Sequence, residues 1–400
     1  MKNFPANLIR IFFILAALTA AGVLPAQEPI RLPDVVGRGE ILSRSVTVTG
    51  RPEALRRDAA RLFDLHGGFD RVSERADFRF SFEEAGSEAV RLRIESGGKV
   101  LMEEVLRGAD RLKALYRAAD RAVERTLGLP GFFSGEVAFI SDRTGHAEVY
   151  LTDTLFRSAR QLTRDRSQCL SPDLSPDGNT VLYTSYHGTG FPDIYRIDLR
   201  TGKRSLFAGF KGTNTGATFS PDGTRVAMIL SGSGNSELYL GNRSGSGLQR
   251  LTRSESLEAD PSWSPDGRRL LLTSDKMGRP QIYTMDLEGR SVSRVRTDIS
   301  RHCSEPAWNP RDEDQIAFTA AVGGSFEVVL FRFSEGRSRV VSKGVGDAVH
   351  PAWLADGRHL LYTERTPRYS RIMILDTKTG KRFRFSPAEL NSAREAAPSF

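Results

Sequence analysis

The chain has 400 residues, 39% of them hydrophobic and 26% charged, the balance of a globular protein. A formal charge of +8 raises nucleic acid as a partner. The arginines are scattered over turns and helix faces, however, with no Lys/Arg cluster interleaved with aromatics, and this excludes it.

Residues 1–26 read as an export signal. Lys2 and Arg10 supply positive charge, residues 11–24 form an apolar run too short to span a membrane comfortably, and Leu24-Pro25-Ala26 offers a cleavage site. Removing this segment lowers the formal charge by two, to +6, and leaves no transmembrane span. No cysteine follows the run, so lipid attachment at a mature N-terminal cysteine is excluded. Residues 27–40 carry Pro29, Pro33, Gly37 and Gly39 and read as an extended, mobile segment.

A small α/β domain is expected over residues 41–130. It begins with a strand at 45–49 and a helix at 52–66, opened by Pro52 and closed by Gly67. Strands follow at 76–82, 89–94 and 100–106. A second helix at 110–127 places Leu112, Leu115, Tyr116, Ala119, Val123 and Leu127 on one face and ends at Gly128.

From residue 136 onward a tight-turn tetrapeptide returns every 44 or 45 residues. It reads Ser175-Pro176-Asp177-Gly178, Ser220-Pro221-Asp222-Gly223 and Ser264-Pro265-Asp266-Gly267, then decays to Asn309-Pro310-Arg311-Asp312 and Leu354-Ala355-Asp356-Gly357. Proline presets its φ, Asp bonds the backbone ahead of it and Gly supplies a positive φ, so each copy closes a hairpin. An apolar column precedes the turns: Leu174, Phe219, Trp263, Trp308 and Trp353. Strand-like segments follow at 180–185, 225–230, 269–274, 315–320 and 359–364. Alternating segments then centre on Tyr150, Tyr195, Tyr239, Tyr283, Val329 and Met373. Four short strands per unit at a fixed period is the pattern of a propeller blade.

Five turns but six copies of the Tyr-column segment imply six blades over residues 136–400. The first blade lacks its first strand, and Glu395-Ala396-Ala397-Pro398-Ser399-Phe400 repeats the pattern of Glu258-Ala259-Asp260-Pro261-Ser262-Trp263. Residues 395–400 are therefore expected to close blade one, with Phe400 in the tryptophan column. Closure also removes unpaired sheet edges. The fold class is mainly β, a six-bladed β-propeller behind a small N-terminal α/β domain.

Cys169 and Cys303 lie three blades apart, on opposite sides of the ring. A disulfide needs Cα atoms within about 7 Å, so two buried free thiols are expected. The residue before the aligned proline is Ser171, Gly216, Asp260, Glu305, His350 and Ala397, where the chain enters each innermost strand. Asp260, Glu305 and His350 come from consecutive blades and form a polar arc suited to a cation or to a partner's basic group. The sequence carries no catalytic signature: no G-x-S-x-G, H-E-x-x-H or G-x-x-x-x-G-K. The six histidines are never at metal-ligand spacing. No catalytic residue, metal or cofactor is expected.

The junction Leu127-Gly128-Leu129-Pro130-Gly131-Phe132-Phe133, followed by Glu136-Val137-Ala138-Phe139-Ile140, is similar to the segment in which the second helix of the TolB family enters its propeller. The ending Ala397-Pro398-Ser399-Phe400 resembles that family's Pro-Ala-Trp-Ser-Pro ending. With the export signal, the small α/β domain and the six blades, the resemblance covers nearly the whole chain. It implies a monomeric, non-enzymatic periplasmic scaffold of a Tol–Pal-type system, supporting envelope integrity and cell division. It further implies a Pal-like outer-membrane lipoprotein bound at the loops that lead into the innermost strands, here Thr213, Asn214, Ala259, Asp260, Arg301, His302, Glu305 and His350. A switch segment offered to a TolA-like inner-membrane protein is implied at Gln27, Glu28, Ile30 and Arg31. The residues themselves also leave room for an exported propeller holding a ligand or ion, or for a propeller hydrolase or lyase. A scaffold calls for a broad face, a binding module for a deep pocket with converging polar groups, and an enzyme for perturbed titratable groups within reach of one another.

Overall fold

The computed structural model describes residues 43–399. The expected export signal, the segment carrying Gln27, Glu28, Ile30 and Arg31, and Phe400 lie outside the described residues.

The N-terminal strands are β1 (Arg44–Arg51), β2 (Phe69–Arg71), β3 (Phe78–Glu84), β4 (Ala89–Ser96) and β5 (Lys99–Arg107), in the sheet order β2-β1-β3-β4-β5. β1 runs parallel to both its neighbours, which requires a crossover, and helix α1 (Glu53–Leu65) supplies it. The sequence pattern missed β2, which has three residues and buries only Phe69. Helix α2 (Arg111–Leu127) is capped by Asp110, which accepts a hydrogen bond from the Lys113 backbone N–H at 2.8 Å. It stops at Gly128, whose φ of 68° suits glycine. Its buried face is rich in alanine (Ala114, Ala118, Ala119, Ala122), which brings the helix axis close to the sheet.

Six four-stranded antiparallel sheets follow. The serine turns repeat in detail. Ser175 Oγ donates to Asp177 Oδ1 at 2.6 Å and accepts from the Thr180 N–H at 2.9 Å, and Gly178 takes φ 67°. Tryptophans tie neighbouring blades together: Trp263 Nε1 donates to Thr218 O and Trp353 Nε1 to Ala307 O, each at 3.1 Å. Arg225 and Arg269 lie 4.9 and 4.8 Å from the ring centres of Trp263 and Trp308 in the following blade, a contact worth roughly 0.5–1 kcal/mol when exposed.

The innermost strand of blade one is Arg394–Pro398. Its register differs from the motif alignment by two residues. Pro398 pairs with Val137 and Ala397 with Ala138, as Trp263 pairs with Leu270 and Ser262 with Leu271 in blade four. Pro398 therefore holds the place expected for Phe400. Cys169 and Cys303 are free and fully buried.

The α/β domain sits on the face of the propeller that carries the serine turns, against blades one and six. Phe63 of α1 meets Phe133 at 5.9 Å between ring centres, and one apolar cluster runs from the α/β core into Leu354 and Phe385. Asp120 of α2 fixes the connecting segment by accepting from the Phe133 and Ser134 backbone N–H groups at 2.7 and 3.0 Å. Tyr116 Oη donates to Asp153 Oδ1 at 2.8 Å, and Lys381 pairs with Asp70 at 2.5 Å. These contacts all involve the turn face, so the opposite face, where the loops lead into the innermost strands, faces away from this domain.

Candidate functional site at the channel mouth

Each innermost strand begins with one to three paired residues and then bulges. In blade four the register breaks between Ala259 and Ser262, and blades one, two, three, five and six break at the equivalent place. The first bulged residue takes a left-handed backbone: Ser171 (φ 48°), Gly216 (61°), Asp260 (50°), Glu305 (53°), His350 (52°) and Glu395 (52°). Six such residues, one per blade, line the central channel, a cavity of about 660 Å³. Glycine alone accepts this conformation freely, so five non-glycine residues held there mark a backbone that the blade geometry imposes.

The sixth member is Glu395, where the sequence reading placed Ala397. Glu395-Ala396-Ala397-Pro398 resembles Glu258-Ala259-Asp260-Pro261 residue by residue, which points to Ala397. The repeat length contained the better signal, because 260, 305, 350 and 395 are equally spaced. The consequence is chemical: the polar arc gains a third carboxylate.

The arc is wired blade to blade. Asp260 Oδ2 accepts from the Glu305 N–H at 3.3 Å and from Thr273 Oγ1 at 3.0 Å. Glu305 Oε2 accepts from the His350 N–H at 2.7 Å and from Thr319 Oγ1 at 2.7 Å, and Glu305 Oε1 lies 3.3 Å from His350 Nδ1. Glu395 Oε2 accepts from the Ser171 N–H at 2.7 Å. The Glu395 N–H follows His350, which offers no carboxylate at this position, and donates instead to Thr363 Oγ1 at 3.0 Å. Burial raises the Asp260 carboxyl above its ordinary value, and the neighbouring Glu305 charge adds to the rise. One half of the mouth is thus acidic, and Ser171 and Gly216 leave the other half uncharged.

The remaining expected residues divide. Thr213 is half-buried, its N–H donating to Ser231 Oγ at 2.7 Å. Asn214 is fully buried and acts as a pin, its Nδ2 donating to Asp193 Oδ1 at 3.0 Å and to Phe210 O at 2.8 Å. Ala259 is half-buried in the strand pair with Thr273. Arg301 is exposed and His302 packs edge-on against Phe326 at 5.3 Å. Those two also line a second depression of about 590 Å³ with Arg279 and Arg294.

The sequence reading missed the apolar component of this face. Tyr186, Phe191, Phe210, Leu257, Met277 and Val345 are exposed, and all six lie in loops on the mouth side. Phe191 is 65% exposed, Met277 67% and Val345 89%. Their loop positions, between rather than within strands, gave no periodic signal.

The family described as TolB beta propeller domain matches residues 123–399. The Tol-Pal system protein TolB of Desulfosudis oleivorans is 35% identical over 145 residues, 36% of this chain and 33% of that protein. The protein TolB homolog of Chlorobium chlorochromatii is 35% identical over 169 residues, 42% of this chain and 38% of that one. The matched stretch thus spans about a third of the relatives' length. In fold, the chain is similar to the crystal structure of TolB from Acinetobacter baumannii, with a TM-score of 0.79 over 89% of this chain and 96% of that one at 22% identity. With a propeller of six such blades and a family match over most of its length, this chain belongs to the TolB β-propeller family.

Proposed function

We propose that the protein is a non-enzymatic periplasmic scaffold of a Tol–Pal-type system, exported with its first 26 residues removed. Its mouth face receives a Pal-like, peptidoglycan-associated lipoprotein. The observation that carries this reading is the pairing, on the face turned away from the α/β domain, of exposed apolar loops with an acidic mouth. Apolar side chains around a charged centre suit a macromolecular partner that brings a basic group to the channel. Such a partner is read by the half-ring of Asp260, Glu305, His350 and Glu395, with Arg301 and His302 at the rim and Thr213, Asn214 and Ala259 shaping the loops. The segment at Gln27, Glu28, Ile30 and Arg31 is assigned in the same reading to a TolA-like inner-membrane protein, and the scaffold acts as a monomer in envelope integrity and cell division.

Calorimetric titration with the soluble domain of the organism's own Pal-like lipoprotein tests the reading. Asp260→Ala with Glu305→Ala is expected to weaken binding at least tenfold while the propeller stays folded at the temperature of the titration. Equal affinity of the double variant removes the channel mouth from the interface, and no binding by the unmutated protein removes the lipoprotein as partner. The 660 Å³ channel with its three carboxylates favours a second reading, an exported propeller that holds a cation. Calcium binding abolished by the same double variant, without lipoprotein binding, selects that one.

A further inference from the structure

Blade six departs from the serine turn in a way that builds a second polar centre. Leu354 replaces the turn serine, so Asp356 loses the hydroxyl that holds Asp177 in blade two. Its carboxylate turns instead to His359, at the position held by Arg225 and Arg269 in blades three and four. Asp356 Oδ2 lies 2.5 Å from His359 Nδ1, and Oδ1 accepts the His359 N–H at 2.9 Å. The imidazole thus binds its carboxylate through Nδ1, which leaves Nε2 as its second donor atom. That atom has no hydrogen-bond partner among the described residues.

A second imidazole meets it from the α/β domain. His66, the residue that ends α1, is fully buried with its ring centre 4.4 Å from that of His359. Its Nε2 is also without a partner, while Nδ1 faces the Gly68 N–H at 3.2 Å. Close approach of the chain here is built in. A Cβ on Gly67 would fall 2.4 Å from Asp376 Cβ, and one on Gly68 would fall 3.0 Å from His66 Cε1. Phe69 and Phe132 wall the pair at 5.0 and 5.5 Å from His66, and Asp376 Oδ2 lies 3.7 Å from His359 Nε2 while accepting from Arg358 Nη2 at 2.7 Å. One donor atom from each of His66, Asp356 and His359 falls within 4.8 Å of the others.

We propose that this seam is a structural metal site for a divalent cation of the zinc class, clamping the α/β domain to blade six. Two imidazoles with a carboxylate are a zinc-type donor set; structural zinc is almost always four-coordinate, so the three clustered side chains call for a fourth ligand, and Asp376 is the carboxylate beside them. Donor atoms around zinc sit roughly 3.3 Å apart, so the widest pairs close by up to about 1.5 Å on loading, and Asp356 Oδ2 gives up His359 Nδ1 to reach a metal on Nε2. Ligation through His66 Nε2 moves that ring's proton to Nδ1, and the Gly68 peptide turns away from it. The separation of 293 positions between the two histidines is why no ligand spacing shows in the sequence. The seam lies on the turn face, and the site is independent of the channel mouth and of any partner there.

The test uses the purified protein, stripped with a chelator and then dialysed against zinc chloride. About one zinc per chain is expected, with a thermal midpoint that rises with zinc concentration. His66→Phe, which keeps an aromatic ring in the seam, is expected to lose both the zinc and the rise. Glu305→Gln with Glu395→Gln, at the channel mouth, is expected to keep both. No stoichiometric zinc in the unmutated protein overturns the proposal, as does a His66→Phe protein that binds zinc equally well. Cobalt(II) gives a reading that needs no variant. The intense visible absorption of a four-coordinate ion supports the site, and the weak spectrum of a hydrated octahedral ion overturns it.

Discussion

Asp173 shows how one side chain joins two blades and makes the join pH-dependent. It lies on the channel wall in blade two, accepting from the Phe219 N–H at 2.9 Å and from Thr218 Oγ1 at 3.3 Å in blade three. Burial pushes its carboxyl up to about 7, against the two hydrogen bonds that favour the ionised form. The folded protein therefore binds a proton that the unfolded chain has released once the pH exceeds its ordinary value of 3.8. The sign follows: this residue's contribution is complete at low pH and is lost as pH rises through about 7. Asp173→Asn keeps an oxygen acceptor without the charge. Urea unfolding is expected to show the unmutated protein losing about 1–2 kcal/mol relative to the variant between pH 4 and 7, less than the full shift because the channel admits water. A constant difference across that range would show that Asp173 does not titrate there. The blade-to-blade role was not legible in the sequence, where Asp173 is one acidic residue in a strand. Its meaning depends on Thr218 and Phe219, a repeat later.

At the scale of elements, the repeat made most of the propeller readable and its ends least so. The expected strands at 180–185, 225–230 and 269–274 match the observed Thr180–Ser185, Arg225–Leu230 and Arg269–Ser274, because buried alternation and a serine turn delimit each one. Helix α2 was legible through its apolar face and Gly128, and β2 was not, since three residues carry no period. The arc at Asp260, Glu305 and His350 was found by column position, but Glu395 was not, because similar side chains two residues out of register outweighed the repeat length. The strand Arg394–Pro398 makes that error consequential. It pairs with Val137, Ala138 and Ile140, the Ser399 N–H donates to Glu136 O at 2.8 Å, and Arg394 pairs with Asp142 at 2.7 Å. Deleting residues 394–400 exposes the edge of blade one and is expected to cost about 3–5 kcal/mol, at roughly 1 kcal/mol per hydrogen bond lost. An unchanged thermal midpoint in the truncated protein would mean that the ring does not depend on this strand.

For the whole molecule, the decisive feature is that the two folded parts share one apolar interior. Phe133 is fully buried where the connecting segment passes between them, 5.9 Å from Phe63 of α1, and the same cluster contains Leu361, Ile372 and Phe385 of blade six. Neighbouring polar pins point the same way: Asp120 holds the Phe133 N–H, and Thr154 Oγ1 donates to Phe133 O at 2.9 Å. An interface that resembles a core couples the unfolding of its two sides, whereas a wet interface leaves domains to melt separately. The unmutated protein is therefore expected to unfold in a single calorimetric transition, despite its two architectures. Phe133→Ala removes a ring that both parts use, at about 3–5 kcal/mol for a buried phenylalanine, and is expected to split the transition in two. Two transitions already present in the unmutated protein would show that the α/β domain and the propeller are energetically separate. A variant that melts lower but still in one step would place the coupling in the polar pins and in the His66–His359 seam instead.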